Sequence, residues 1–175
     1  LPDVVENVED GFAGTADGRS VLYVEKDPPT LLGLRVRRHV LGTPVADDVL
    51  VHEEADEAFY TSVAVTKDGR YLLIESSSTV TTETRYARAD DPQLRFAVIA
   101  PRRRGHEYSV EHRDGLWIVL SNWPALNFRL LSTPGGGSGD PACWREILPH
   151  REEALLTDFD VFRDFVAVEE RSAGL

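Results

Sequence analysis

Along the chain, four short apolar runs each follow a charged turn. Ala16-Asp17-Gly18-Arg19 precedes Val21-Leu22-Tyr23-Val24, and Lys67-Asp68-Gly69-Arg70 precedes Tyr71-Leu72-Leu73-Ile74. Arg113-Asp114-Gly115 precedes Leu116-Trp117-Ile118-Val119, and Phe162-Arg163-Asp164 precedes Phe165-Val166-Ala167-Val168. The runs begin at 21, 71, 116 and 165, so successive spacings are 50, 45 and 49 residues. Asp-Gly between β-branched and aromatic runs is a strong hairpin signal, because glycine accepts the positive φ that a tight turn needs. Residues 12–16, 61–65, 107–111 and 158–162 read as the strands entering these turns. Residues 34–41, 83–89 and 128–132 read as third strands, and 49–53, 95–99 and 144–148 as fourth strands. Every 10-residue window with a helical apolar stripe is broken by glycine or proline, so helix is expected to be nearly absent.

Four strands in a period of about 45 to 50 residues is the arithmetic of a β-propeller blade. An all-β sandwich also spaces short strands regularly. The same turn chemistry recurring at the same phase favours the propeller. The expectation is an all-β fold, a partial propeller of four-stranded antiparallel blades. Residues 1–9 would be the outer strand of a preceding blade, 10–54, 55–103 and 104–150 three full blades, and 151–175 half of the next. In this reading residues such as Val4, Val5, Phe159, Phe165 and Val168 are exposed at unfinished blade faces, and the chain by itself self-associates through them.

Composition narrows the function. With 19 basic and 30 acidic residues among 175, the net charge is −11, which argues against nucleic acid as main partner and permits basic ligands. The longest apolar stretches are strand-length, far short of the roughly 20 residues of a membrane-spanning helix, so no membrane partner is expected. The single cysteine, Cys143, excludes an internal disulfide framework and is compatible with the expected cytoplasmic location. The chain begins at Leu1, has no methionine and lacks a secretory-type leader. Leucine is not a natural start, so the expectation is a piece of a longer protein.

Catalytic constellations are missing from the sequence. Gly136-Gly137-Ser138-Gly139-Asp140 fails the nucleophile-elbow pattern at its last position, and no Gly-Lys-Ser/Thr ending marks a phosphate loop. Cys143, beside Trp144 and without a visible activating base, is expected in the core. His39, His52, His106, His112 and His150 form no metal motif. His106 and His112 share a strand face but would stand ~20 Å apart at ~3.3 Å per residue. No cofactor or metal is expected. The couplets Asp47-Asp48, Glu53-Glu54 and Asp90-Asp91 read as solvated turns. Arg102-Arg103-Arg104 is too short for a nucleic-acid patch and is expected to pair with local carboxylates. Acidic residues on or beside the first strands of the blades, Asp10, Glu107, Asp158 and Asp160, are the candidate site residues. They would give a central channel a negative potential suited to basic peptides.

Several strings carry a resemblance. Tyr23-Val24-Glu25-Lys26-Asp27-Pro28-Pro29-Thr30-Leu31-Leu32 is followed by Arg38-His39-Val40-Leu41-Gly42-Thr43-Pro44, and later by Ser76-Ser77-Ser78, Thr82-Glu83-Thr84-Arg85, His106-Glu107-Tyr108-Ser109 and Asn127-Phe128-Arg129-Leu130. Val168-Glu169-Glu170-Arg171 completes the set. In this order they resemble the propeller of the oligopeptidase B (protease II) branch of the prolyl oligopeptidase family of serine peptidases, over essentially the whole chain. Ala13-Gly14-Thr15 lacks a tryptophan common near there, and Gly33-Leu34 replaces a usual Pro-Tyr pair. The resemblance implies about three and a half blades of a seven-bladed propeller, which caps an α/β-hydrolase domain bearing a Ser, Asp, His triad and filters substrates by size. It further implies cleavage of short peptides after arginine or lysine. The triad belongs to that other domain of the polypeptide, so no catalytic residue carries over to this chain. The alternative is a stand-alone propeller that binds proteins or peptides without catalysis.

Overall fold

A computed structural model describes residues 3–136 and 139–173. The described residues form three four-stranded antiparallel sheets and one two-stranded sheet, with two single-turn 3-10 helices at Val45–Asp47 and Pro141–Cys143. The first sheet is β1 (Ala13–Gly14), β2 (Ser20–Lys26), β3 (Gly33–Val40) and β4 (Val49–Glu53). The second is β5 (Tyr60–Val65), β6 (Tyr71–Ser77), β7 (Thr82–Arg88) and β8 (Ala97–Val98). The third is β9 (Tyr108–Arg113), β10 (Leu116–Ser121), β11 (Arg129–Pro134) and β12 (Arg145–Leu148). β13 (Ala154–Val161) and β14 (Val166–Ser172) make the last hairpin. Spatial order follows chain order in every sheet, the meander expected of a propeller blade.

The recurring Asp-Gly turns take two forms. In the first, the Thr15 hydroxyl donates to Asp17 Oδ1 at 2.7 Å, Asp17 Oδ1 accepts from the Arg19 amide at 3.0 Å, and the Ser20 amide donates to Thr15 Oγ1 at 3.1 Å. Thr66, Asp68, Arg70 and Tyr71 repeat this arrangement at 2.8, 3.0 and 3.0 Å. Gly18 and Gly69 supply the left-handed residue, at φ +66° and +70°. The third turn is tighter. Asp114 and Gly115 have φ of +51° and +81°, and Arg113 pairs directly with Leu116, so two residues close the hairpin in the primed geometry. The fourth has no glycine. The Phe162 amide donates to the Phe165 carbonyl at 2.9 Å, and the two rings stack 4.6 Å apart.

The chain divides into two compact units, residues 1–79 with 84–98, and residues 80–83 with 99–175. Within the first, Leu22, Val24 and Val36 of the first sheet pack with Leu72 and Ile74 of β6, Ala13, Ala89 and Leu94. Within the second, Ile118, Leu120 and Leu130 pack with Leu156 and Val161 of the last hairpin. Each core follows from period-2 alternation, which puts the apolar residues of a half-buried strand on one face.

Some expected boundaries change. Residues 1–9 were expected to form an outer strand of a preceding blade. Leu1 and Pro2 lie outside the described residues, and Val8 instead makes an isolated antiparallel bridge to Glu25 of β2. The Glu9 amide donates to Val24 O at 2.9 Å and the Lys26 amide to Asn7 O at 2.8 Å, so this segment lies on the first sheet itself. That placement also explains Gly33. A Cβ there would stand 2.6 Å from Glu9 Cγ and 2.9 Å from Val24 Cγ1. Val4 and Phe165 are exposed as expected, at 70% and 57%. Phe159 and Val168, by contrast, are partly buried against the core of the second unit.

Candidate functional site

Asp158 and Asp160 are two apart on β13 and share a face of the last hairpin. Register sets Asp158 opposite Glu169 and Asp160 opposite Ala167 on β14. The alternate positions Phe159, Val161, Val166 and Val168 turn into the core of the second unit. The hairpin is therefore acidic on one side and apolar on the other. A shallow groove of about 290 Å³ is lined by Asp158, Phe159, Asp160, Ala167, Val168 and Glu169. Asp158 Oδ1 accepts from the Phe159 amide and Asp160 Oδ1 from the Val161 amide, each at 2.8 Å. Glu169 is a third acid on this face that sequence reasoning missed. The turn at 162–165 carried the signal, because pairing Val161 with Val166 places Asp158 across from Glu169.

The other two candidates are placed differently. Glu107 precedes β9 and is held by Asn122: its amide donates to Asn122 Oδ1 at 2.9 Å, and Asn122 Nδ2 donates to Glu107 Oε1 at 3.2 Å. That carboxylate is partly committed to extending the β9–β10 pairing. Asp10 sits in an exposed bend ahead of β1, in the first unit. Within the second unit, Asp158 and Asp160 lie on one face of the same hairpin.

A larger pocket in the second unit, about 520 Å³, is lined by Pro101, Arg102, Arg103, His106, Gly139, Asp140 and Pro141. Arg102 pairs with Glu83 at 3.5 Å, as expected of the arginine run, while the Arg103 guanidinium lies 4.2 Å from the Trp123 ring centre. His106 is 1% exposed, and its Nε2 meets Ser121 Oγ at 2.9 Å. Burial, followed by the nearby Arg103 charge, pushes its pKa down to about 4, so the imidazole is neutral across the physiological range. With a neutral histidine, two arginines and Asp140 in its lining this pocket is polar, and none of its lining residues is a nucleophile.

Other sequence expectations need correction. Cys143 is exposed, not buried. The Asp140 carboxylate accepts from the Ala142 amide at 3.1 Å and caps the short turn Pro141–Cys143, which rotates the thiol outward and sends Trp144 into the interior instead. Asp48 and Glu54 are buried rather than solvated. The Asp48 carboxylate accepts from the Tyr23 hydroxyl at 2.8 Å and meets His39 Nδ1 at 2.7 Å. Burial and the adjacent Asp48 together raise the Tyr23 pKa, so its hydroxyl remains a donor. His39 and His112 are also buried, while His52 and His150 are half-buried. Among the described residues no cluster of three or more His, Cys, Asp or Glu is arranged to hold a metal. Among them, too, no helix is long and apolar enough to cross a membrane.

Comparison with known proteins bears on all of this. The family model described as the prolyl oligopeptidase N-terminal β-propeller domain matches residues 1–175. The chain is 38% identical to dipeptidyl aminopeptidase BI of Pseudoxanthomonas mexicana, over 100% of its own length and 24% of that protein. It is 33% identical to Protease 2 of Moraxella lacunata, covering 79% of the chain and 20% of the relative. Oligopeptidase B from Leishmania major superposes with a TM-score of 0.92 at 28% identity, over 100% of this chain and 24% of that one. Oligopeptidase B from Trypanosoma brucei does so with 0.92 at 26%. The chain thus spans about a quarter of the length of these proteins.

Proposed function

Because the chain belongs to the N-terminal β-propeller domain family of the prolyl oligopeptidases, we propose that it is the non-catalytic propeller segment of a serine oligopeptidase that cleaves short peptides after arginine or lysine. The observation that carries this reading is the match over all 175 residues, joined to the 0.92 superposition on oligopeptidase B. The hydrolytic machinery would reside in another domain of the same polypeptide, and this segment would cap it, admit short peptides by size and act in the cytoplasm. The acidic face made by Asp158, Asp160 and Glu169 supports a preference for basic substrates, because a wall of one sign concentrates ligands of the other.

The test is hydrolysis by the intact protein. A short chromogenic peptide ending in Arg is expected to be turned over, a folded protein carrying the same sequence is not, and the 175-residue chain alone is inactive. Asp158→Asn with Asp160→Asn is expected to lower kcat/KM for a dibasic peptide about threefold at low salt, and to converge with the parent at high salt. Absence of any serine hydrolase activity in the intact protein would favour a stand-alone binding propeller. An unchanged salt dependence in the double variant would remove the steering role alone.

A second reading is favoured by the 38% identity to dipeptidyl aminopeptidase BI. In it the intact protein releases dipeptides from a free amino end. Blocking the amino end of the test peptide separates the two: endopeptidase cleavage persists and dipeptide release stops.

A further inference from the structure

Ser121 is fully buried on β10. Its Oγ accepts from the Trp123 amide at 3.1 Å and lies 2.9 Å from His106 Nε2. Having accepted there, the hydroxyl still has its own proton to place, and the ring nitrogen is the acceptor beside it. Nε2 therefore accepts, and in the neutral ring the proton sits on Nδ1. Among the described residues Nδ1–H meets no acceptor, although His106 is 1% exposed. His106 lines the 520 Å³ pocket of the second unit, so this buried donor is left for whatever occupies it.

Arg103 lines the same pocket. Its guanidinium lies 4.2 Å from the Trp123 ring centre, and among the described residues it pairs with no carboxylate. Stacking covers one face of the guanidinium and leaves its N–H edge, a fork that matches the two oxygens of a carboxylate. The other charged groups of the pocket are engaged. The Arg102 amide donates to Glu83 Oε2 at 3.0 Å, and its guanidinium pairs with Glu83 Oε1 at 3.5 Å. Asp140 Oδ1 accepts from the Ala142 amide at 3.1 Å. These two carboxylates limit the negative charge that a ligand can bring, which favours one charge over the two of phosphate. A volume of about 520 Å³ holds more than a carboxylate group, and Pro101 and Pro141 supply apolar wall for the rest of a ligand.

We propose that this pocket binds the carboxylate of a small organic ligand, with the Arg103 fork on its two oxygens and His106 Nδ1–H donating to one of them. The carboxyl end of a short peptide and a free organic acid share this chemistry. Trp123 holds the guanidinium beforehand, so little side-chain freedom is lost when the ligand arrives. The site lies within the second unit and stands whether or not the intact protein hydrolyses peptides.

The intact protein with isotope-labelled tryptophan and histidine tests the site, because the Trp123 indole and the His106 ring both report on it. Their resonances are assigned through Trp123→Phe and His106→Phe. Acetate and acetyl-Ala-Ala are the probes. Both are expected to shift these resonances saturably in the millimolar range, while the amide of acetyl-Ala-Ala and inorganic phosphate bind at least about tenfold more weakly. Arg103→Ala, followed at His106, is expected to weaken acetyl-Ala-Ala about tenfold, and Arg103→Lys about threefold because the fork is lost. His106→Phe, followed at Trp123, fills the ring cluster without the second donor and is expected to cost about threefold. Arg104→Ala removes a neighbouring positive charge and keeps the stack, and is expected to bind as the parent does. A peptide acid bound more tightly than acetate assigns the site to chain ends, equal binding assigns it to free organic acids, and either supports it. Unshifted resonances in the parent, equal binding of the amide or of phosphate, or full binding by Arg103→Ala overturns the proposal.

Discussion

His39 on the first sheet and His106 just ahead of the third are each buried to 1% exposure, in opposite kinds of surroundings. His39 stands between two carboxylates, with Asp48 in contact at 2.7 Å and Asp3 at 3.8 Å. His106 is lodged among aromatic rings, with Tyr108, Trp123 and Trp144 at centroid distances of 4.9, 5.9 and 6.5 Å, and the Arg103 charge acts on it. Burial alone disfavours a charged imidazole in both places. What differs is the sign of the neighbouring charge. Around His39 the buried carboxylate can only be tolerated because donors surround it, whereas around His106 a neutral ring needs only one hydroxyl, that of Ser121. One residue type at one burial therefore builds a hydrogen-bonded tie to a buried carboxylate in one place and an aromatic plug in the other.

The largest effect is expected at the Asp48 tie. Asp48→Ala strips the acceptor from the Tyr23 hydroxyl and from His39 Nδ1 at once, leaving two donors in a closed interior. The cost should be about 3 kcal/mol, read from urea unfolding of the intact protein, with Asp48→Asn losing roughly half as much. A loss below about 0.5 kcal/mol would mean that water reaches the site and that Asp48 behaves as a surface turn residue after all.

The aromatic plug should fail in acid. An unfolded imidazole takes up its proton near pH ~6.5, but folded His106 does so only near pH about 4. Because the folded pKa is depressed, its contribution is fully present above pH ~6.5 and is lost as pH falls toward about 4, by on the order of 3 kcal/mol. Comparing unfolding at neutral pH and near pH ~4.5 for the parent and for His106→Phe isolates this part, since the carboxylates titrate alike in both. The parent should lose about 2 kcal/mol more than the variant. Equal losses would show that His106 accepts its proton without leaving the ring cluster.

These environments also mark the limit of what the chain's pattern discloses. Strand order and turn positions were readable, because Asp-Gly between alternating apolar runs encodes them locally. Glu169 was missed, although the 162–165 turn sets the register that places it opposite Asp158. Asp48 and Glu54 were not. Their couplets look like solvated turns, and their burial depends on partners far along the chain, Tyr23 and His39 in the case of Asp48. Cys143 was misplaced for a related reason: an aspartate cap three residues earlier decides which of two neighbouring side chains points inward, and apolar character alone favours both. Val8 pairs with β2 because Gly33 leaves room for Glu9, a contact between residues 24 apart that no periodicity signals.

The smallest effect separates the two causes of the His106 depression. Arg103 is stacked on Trp123 at 4.2 Å, so Arg103→Ala removes a cation–π contact worth about 0.5–1 kcal/mol at a partly exposed site. It also removes the positive charge that opposes imidazolium formation, although burial is the larger of the two causes. The His106 titration midpoint, followed by its ring proton resonances, should therefore rise in the variant but stay below the ordinary imidazole value. A midpoint that does not move would assign the whole depression to burial among the rings. A midpoint that reaches the ordinary value would mean that losing Arg103 opens the cluster to water. In either case the third sheet would no longer be a plug whose acidity is set jointly by aromatic burial and one stacked arginine.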